Sequence, residues 1–109
     1  MKKIILVLED DETQREIMSR VLREYNLILT ATLAEARAAL ASIQPDLVIT
    51  DGVLSDGDGA AWAEEIFASG QMVLLVSGSE KSKIVPYLDK PVVHNELKRM
   101  IREMLGQGA

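Results

Sequence analysis

The sequence predicts one α/β domain built on a doubly wound parallel sheet. Short runs made only of apolar residues, such as Ile4–Leu8 and Met72–Val76, are typical of strands that are buried on both faces. Between such runs, apolar residues recur at helical spacing with charged residues among them. Because strands and helices alternate along the whole chain, we expect parallel strands with helices packed on the sheet.

The composition favours a single soluble domain and excludes several kinds of site. The chain has 109 residues, 48% of them hydrophobic, and we expect one domain over residues 1–109 with 106–109 as a frayed tail. Because there is no cysteine, disulfides, thiol catalysis and thiolate metal sites are excluded. A net charge of −5 argues against nucleic acid or an anionic membrane surface as a partner. No segment could span a membrane and the first apolar run is too short for a signal peptide, so a cytoplasmic protein is predicted.

The first half of the chain alternates between strand and helix. The run Ile4–Leu8 predicts the first strand, and a second strand is predicted over residues 27–31. The helix between them carries an apolar stripe from Ile17 to Tyr25, and an Ala-rich helix follows the second strand and stops before Pro45. Each helix has an N-cap signal with Gln or Glu three residues further on, at Asp11 and Thr32.

The third strand, Asp46–Asp51, ends in a carboxylate. Its apolar run is too short for a confident helix and is followed by the Gly-rich turn 52–59, so it indicates a buried strand. Open α/β sheets bind ligands at the carboxyl ends of their strands, which makes Asp51 a candidate functional residue. A third helix is predicted around Trp62–Phe67 and is stopped by Gly70.

The connection between the fourth and fifth strands is short. Strands are predicted over Met72–Val76 and Tyr87–Asp89, and an amphipathic helix follows over residues 93–105. Only ten residues, 77–86, join these two strands, whereas a parallel crossover with its helix needs at least about ten to twelve. At most one helical turn is therefore expected there, around residues 81–85.

Polar side chains follow the predicted strands at the edge where parallel strands end together. They are Glu9 and Asp10 after the first strand, Asp51 after the third, Ser77 after the fourth and Lys90 after the fifth. Carboxylates packed together repel one another unless a cation relieves them, and Mg²⁺ takes a few carboxylates together with a phosphoryl oxygen. Lys90 and Ser77 supply the charge and the donor that suit phosphoryl oxygens. The combination indicates metal-assisted phosphoryl transfer to a carboxylate.

With these residues at the strand ends, the chain resembles the receiver domains of bacterial two-component response regulators. The resemblance covers essentially the whole chain and rests on five motifs in register with the strands. The motifs are Glu9-Asp10, Asp51, Asp58-Gly59, Ser77-Gly78, and Tyr87 three residues before Lys90-Pro91. The resemblance implies a five-stranded, flavodoxin-like sheet with strand order 2-1-3-4-5 and helices on both faces. It also implies a cis peptide bond between Lys90 and Pro91.

The resemblance implies a role for each residue of the site. Asp51 would accept a phosphoryl group from a histidine kinase or a phosphotransfer protein. Ser77 and Lys90 would bind the phosphoryl oxygens, and Tyr87 would reorient and change binding to a downstream protein target. Enzymatic activity would be limited to self-catalysed phosphotransfer and autodephosphorylation. Mg²⁺ would be held by Asp10, Asp51 and the backbone carbonyl of Val53, with Glu9 contributing directly or through water.

The short connection after Ser77 is the main departure from the family pattern. Receivers usually have a fourth helix there; here we expect it to be missing or reduced to about one turn, which remodels a surface that commonly carries partner binding. Residues 78–85 have few apolar anchors. We therefore expect this segment to be mobile without a phosphoryl group and ordered when Ser77 moves toward one. Ser55, where Pro is frequent, is a milder difference.

Other residues that could carry chemistry have simpler interpretations. Asp11 and Glu12 are expected to cap and charge the first turn of a helix. His94 is expected at the surface at the start of the last helix, and Trp62 to pack on the third helix. The segment 56–59 looks like part of a calcium loop, but the spacing to a closing Glu is wrong, so a turn is predicted.

Three functions compete on this sequence. A phosphorylatable signalling receiver leads, because all the site residues are present. The alternative is a pseudo-receiver or constitutive interaction scaffold that phosphorylation does not control, which the missing helix leaves open. A Mg²⁺-dependent phosphatase of the haloacid dehalogenase kind would need Asp-x-Asp after the first strand. The chain has Glu9-Asp10-Asp11 there, so the match fails at the nucleophile.

Overall fold

The computed structural model describes residues 2–107. The fold of these residues is built on one five-stranded parallel sheet. The strands within these residues are β1 (Ile4–Leu8), β2 (Asn26–Thr30), β3 (Leu47–Asp51), β4 (Val53–Leu54), β5 (Gly57–Asp58), β6 (Val73–Ser77) and β7 (Tyr87–Asp89). Five of them pair in the order β2-β1-β3-β6-β7, all parallel. Since β6 and β7 are the predicted fourth and fifth strands, the predicted order 2-1-3-4-5 is confirmed. The strands β4 and β5 form a small antiparallel hairpin inside the predicted Gly-rich turn.

Helices cover both faces of the sheet, as predicted. They are α1 (Glu12–Val21), α2 (Leu33–Ser42), α3 (Gly59–Ala68) and α4 (His94–Met104). Alternate residues along β1 enter two different apolar clusters, because successive side chains of a strand point to opposite faces. One cluster includes Ala36 and Trp62 from α2 and α3, and the other includes Leu97 and Ile101 from α4. Within the described residues, no helix is long and apolar enough to cross a membrane.

Side-chain caps set where the helices begin. The side chains of Asp11 and Thr32 accept hydrogen bonds from the backbone N–H groups three residues further on, at 3.0 and 3.1 Å, so both predicted N-caps are confirmed. The helix α3 begins earlier than the apolar pattern indicated, at Gly59, because Asp58 caps it in the same way. It ends at Ala68 and is stopped by Gly70 as predicted, where φ is 103° and the N–H groups of residues 70 and 71 donate to carbonyls of the last helical turn.

One prediction near a chain turn needs correction. Tyr25 does not extend the first helix; α1 ends at Val21, and Tyr25 lies in the turn that leads into β2. In the first half of the predicted frayed tail, Gly106 has φ 70° and the N–H of Gln107 donates to the Arg102 carbonyl at 2.8 Å, and fraying of the tail stays a prediction. The other half, residues 108–109, lies outside the described residues.

The connection between β6 and β7 is described throughout and contains no helix. Residues 78–86 form bends and irregular structure, so the fourth helix is missing here and not merely shortened. One apolar side chain of this connection, Val85, is 3% exposed and belongs to the same buried cluster as Trp62. This connection thus contributes a buried side chain to the core on the side of the sheet where α2 and α3 pack.

Candidate functional site

The carboxyl ends of four strands bring the predicted polar residues to one edge of the sheet. Asp51 is the last residue of β3 and Ser77 the last residue of β6, and these strands are adjacent. Glu9 follows β1 directly, and Lys90 follows β7. The N–H of Lys90 donates to the Ser77 carbonyl at 3.1 Å, which ties the end of β7 to the end of β6.

Three carboxylates lie close together at this edge. One oxygen from each of Glu9, Asp10 and Asp51 lies within 4.8 Å of the others, a spacing that one divalent cation could bridge. The three differ in exposure, since Glu9 is buried, Asp51 is half-buried and Asp10 is exposed. The cluster is thus open on one side, where a further oxygen ligand can approach.

Lys90 joins two of these carboxylates from the other end of the sheet edge. Its Nζ donates to Glu9 Oε1 and to Asp51 Oδ2, each at 3.1 Å. Burial raises the pKa of Glu9, and hydrogen bonds from the Asp11 N–H and Lys90 offset this only in part. Burial also lowers the pKa of Lys90, but its hydrogen bonds to Glu9 and Asp51 outweigh that effect and raise this pKa overall. Lys90 is therefore held as an ammonium beside the carboxylates.

Two glycines fix the backbone around Asp51. The N–H of Gly52 donates to Asp51 Oδ1 at 2.7 Å. A Cβ added at Gly59 would lie 1.8 Å from the Asp51 carbonyl oxygen, so the first turn of α3 packs directly against the end of β3. The N–H of Gly59 also donates to the Gly52 carbonyl at 3.0 Å. The close approach requires a residue without a side chain at position 59.

Ser77 is buried beside the residue that follows Asp51. Its side chain lies so close to Gly52 that an added Cβ there would be 2.6 Å from Ser77 Oγ. The same oxygen accepts hydrogen bonds from the backbone N–H of Glu80 at 3.0 Å and of Ser79 at 3.4 Å. The hydroxyl hydrogen of Ser77 donates to none of the groups in the described part of the chain, so it is available to an acceptor.

The other predicted site residues lie around this cluster. Tyr87 is half-buried and packs against the cluster that contains Trp62 and Val85, not in the acidic cleft. Val53 lies in β4 with a 56% exposed side chain, and its carbonyl group as a metal ligand stays a prediction. His94 is exposed, as expected, and the Lys90-Pro91 peptide bond is cis, as the resemblance implied.

A cavity of about 680 Å³ extends from the carboxylates toward α1 and the start of α4. It is lined by the acidic residues and Lys90 together with apolar side chains that include Ile17, Met18 and Leu97. The helix α1 buries none of its residues completely. The carboxylate cluster thus borders a cavity on the α1 side of the sheet edge.

Two residues that shape the surroundings of the site were not predicted from the sequence. Arg15 on α1 donates from Nη1 to the Glu9 carbonyl at 2.8 Å and so positions the loop that carries Glu9. Asp56 accepts hydrogen bonds from the first two backbone N–H groups of α2, at 2.9 and 3.2 Å, which anchors the β4–β5 hairpin. Those bonds lower the pKa of Asp56. A long Arg near an acidic loop is a weak signal, and the Asp56 contact joins elements distant in sequence.

The arrangement suits a reaction at a carboxylate with an anionic group. Asp51 offers a nucleophilic oxygen, Lys90 offers a cation beside it, and Ser77 offers a hydroxyl donor next to Gly52. Glu9 and Asp10 complete an oxygen-rich site for a hard divalent cation. Each of these groups can stabilise negative charge on a phosphoryl group that approaches Asp51.

Comparison with solved structures shows the same architecture. A CheY-like receiver domain protein from Methanospirillum hungatei matches with a TM-score of 0.88 at 23% identity, over 98% of this chain and 96% of that chain. The signal receiver domain of an HD domain-containing protein from Pseudomonas fluorescens matches with a TM-score of 0.88 at 25% identity, over 98% and 97%. The chemotaxis response regulator CheY4 of Vibrio cholerae matches with a TM-score of 0.84 at 18% identity, over 95% and 99%.

Comparison at the level of sequence gives the family. No curated protein matches the chain significantly. The sequence pattern of the family described as "Response regulator receiver domain" matches residues 5–102. The match includes all residues of the acidic edge, which we define as Glu9, Asp10, Asp51, Ser77 and Lys90. The chain belongs to the response regulator receiver domain family.

Proposed function

We propose that the chain is a phosphorylatable signalling receiver in which Asp51 accepts the phosphoryl group. One observation carries the proposal: Asp51 Oδ2 lies 3.1 Å from the Lys90 ammonium, inside a cluster that includes the carboxylates of Glu9 and Asp10. Membership of the receiver family supports the same assignment. A structural ion pair would need one carboxylate for Lys90, whereas this edge gathers three.

Phosphoryl transfer would form an acyl phosphate. An oxygen of Asp51 attacks the phosphorus, the bond from phosphorus to the donor atom breaks, and the donor leaves with the electron pair of that bond. The donor would be the phosphohistidine of a histidine kinase or of a phosphotransfer protein, whose imidazole is a stable leaving group. Apart from this transfer and the hydrolysis of the acyl phosphate by water, which returns the Asp51 carboxylate and releases inorganic phosphate, no enzymatic reaction is proposed.

Mg²⁺ fits the oxygen atoms at this edge. Glu9, Asp10 and Asp51 would hold it together with the backbone carbonyl of Val53, and a bound cation would neutralise charge on the phosphoryl oxygens. Burial of Glu9 supports this assignment, because a buried carboxylate beside other carboxylates favours a neighbouring cation. Lys90 alone supplies a single positive charge to three carboxylates.

Lys90 and Ser77 would stabilise the phosphorylated state. The Lys90 ammonium already contacts Asp51 and can bind an oxygen of the group that Asp51 acquires. The Ser77 hydroxyl can donate a hydrogen bond to another phosphoryl oxygen as its side chain moves toward Asp51. Tyr87, one strand away on β7, would then repack and alter the surface that a downstream protein target binds.

A direct test uses acetyl phosphate as a small donor in the presence of Mg²⁺. Intact mass spectrometry should show one labile phosphoryl adduct on the wild-type chain and none on Asp51→Asn. Asp89→Asn is a matched control, since Asp89 is an exposed carboxylate at the same edge of the sheet. That variant should form the adduct as the wild type does.

Other outcomes would favour the competing functions. If neither acetyl phosphate nor a phosphorylated histidine donor gives an adduct, the chain is a pseudo-receiver or interaction scaffold. If phosphomonoesters are hydrolysed with many turnovers, it is a phosphatase. If Asp51→Asn still forms the adduct, the phosphoryl acceptor is another carboxylate at this edge of the sheet.

A further inference from the structure

We propose that the hydrogen bond between Ser82 and Glu64 divides the connection between β6 and β7 into two halves. Residues 78–81 move when Ser77 moves, whereas residues 82–86 stay fixed to α3. The proposal rests on the proposed function, because it concerns how a phosphoryl group on Asp51 is transmitted to the surface. It replaces the expectation that residues 78–85 respond as one mobile segment.

The first half, residues 78–81, is exposed and depends on Ser77. Its backbone N–H groups at Ser79 and Glu80 donate to Ser77 Oγ, at 3.4 and 3.0 Å. Glu80 also lies against the residue after Asp51, since a Cβ added at Gly52 would be 2.8 Å from Glu80 Cβ. A displacement of the Ser77 hydroxyl toward Asp51 therefore changes the two bonds that position this half.

The second half, residues 82–86, is held by contacts that do not involve Ser77. Ser82 Oγ donates to Glu64 Oε2 on α3 at 2.7 Å. The same oxygen accepts hydrogen bonds from the N–H groups of Ile84 and Val85, each at 3.0 Å. The Val85 side chain is 3% exposed in the core, and the Pro86 carbonyl accepts from the N–H of Leu75 on β6 at 2.9 Å.

The boundary between the halves falls between residues 81 and 82. The Ser82 hydroxyl oxygen accepts two backbone hydrogen bonds that form a turn, and its hydrogen donates to the half-buried Glu64 on α3. A displacement that begins at Ser77 is therefore not transmitted beyond Ser82. In place of the missing helix, this pair holds Val85 in the core and sets where β7 begins. Ser82 and Glu64 act as positioning residues, because they contact neither Asp51 nor a group bound to it.

Amide hydrogen exchange measured by NMR tests this division, with Mg²⁺ and beryllofluoride as the probe of the phosphorylated state. In the wild type, the probe should change exchange at Gly52 and Glu80 and leave Ile84 and Val85 unchanged. In Ser82→Ala, exchange at Ile84 and Val85 should be about tenfold faster without the probe, the effect of one lost hydrogen bond. In that variant these two amides should also respond to the probe.

Matched variants separate the hydroxyl contact from a general loss of structure. Ser82→Thr keeps the hydroxyl and should restore wild-type exchange, and Ser79→Ala removes an exposed hydroxyl nearby without effect. If Ser82→Ala does not fold, Glu64→Ala against Glu64→Gln makes the same comparison, since Gln keeps an acceptor oxygen.

The outcomes distinguish this proposal from the proposed function. A response at Gly52 together with an equal response at Val85 in the wild type overturns the division and leaves phosphorylation of Asp51 standing. Unchanged exchange at Ile84 and Val85 in Ser82→Ala overturns it as well. No response at Gly52 overturns the proposed function and this proposal with it.

Discussion

The acidic edge and the segment that follows β6 are neighbours, but different forces hold them. At the edge, sheet register aligns strands from distant parts of the chain, and Lys90 contacts two carboxylates at 3.1 Å. In the segment, two serine hydroxyls and one buried side chain, Val85, replace a helix. The whole sheet thus fixes the geometry of the edge, whereas the conformation of the segment depends on a few local hydrogen bonds that single substitutions can remove.

The largest effect is expected where α3 packs against the edge. Gly59→Ala places a Cβ 1.8 Å from the Asp51 carbonyl oxygen, which the backbone cannot accommodate without moving. We expect the free energy of unfolding to fall by about 3 kcal/mol and phosphorylation of Asp51 to be strongly reduced. Urea denaturation and the acetyl phosphate reaction measure the two effects.

Gly78→Ala is the matched control in the segment. The nearest atom to its added Cβ is Lys90 Cβ at 3.9 Å, an ordinary contact. This substitution should change the free energy of unfolding by less than about 0.5 kcal/mol. If both substitutions cost the same, close packing at residue 59 does not determine the geometry of the edge.

The next largest effect concerns Mg²⁺ at the edge. At about 100 times its dissociation constant, Mg²⁺ should raise the free energy of unfolding by about 2.7 kcal/mol, because it binds only the folded carboxylate cluster. Asp10→Asn should abolish most of this gain. Asp11→Asn should keep it, since Asp11 caps α1 and lies outside the cluster. An equal gain in both variants, measured by thermal unfolding, would contradict the assignment.

A smaller effect is expected in the segment. Ser82→Ala removes a hydroxyl with one acceptor and two donors as partners, and should lower the free energy of unfolding by about 1 kcal/mol. The acetyl phosphate adduct on Asp51 should still form, because Ser82 does not contact the edge. If this variant no longer forms the adduct, phosphorylation of Asp51 depends on the conformation of the segment between β6 and β7.

The smallest effect is expected at the hairpin between the edge and α3. Two backbone hydrogen bonds lower the pKa of Asp56, so its stabilising contribution is present above the unfolded-state pKa and is lost as the pH falls through the folded-state pKa. Asp56→Asn should therefore be less stable than the wild type at neutral pH and equally stable in acid. Urea denaturation at both pH values measures this, and a difference that persists in acid would point to another cause.

Most of the fold was predictable because its signals are local. Apolar runs located every strand of the main sheet to within one or two residues, and Asp11 and Thr32 marked two helix starts. Boundaries were wrong where an unrecognised cap or turn decided them: Asp58 starts α3 three residues before Trp62, and α1 stops before Tyr25.

The residues that the candidate site brings together were predictable from the sequence, but the contacts that position the neighbouring segment were not. Strand ends bring Glu9, Asp51 and Lys90 together by topology alone, so the alternation of strands and helices was sufficient. The Ser82–Glu64 contact joins residues that no periodic pattern relates. A serine in a short polar connection carries no signal of the partner that it contacts, so these hydrogen bonds were not predicted, and the mobility of residues 78–85 stays a prediction.

The most direct test of the central claim is to locate the modified residue. After reaction with acetyl phosphate and Mg²⁺, borohydride reduces an aspartyl phosphate to homoserine, and peptide mass spectrometry identifies its position. The account predicts homoserine at position 51 alone, and none when Mg²⁺ is chelated before the donor is added. Modification at Asp10 or another carboxylate, or none with any phosphodonor, would contradict it.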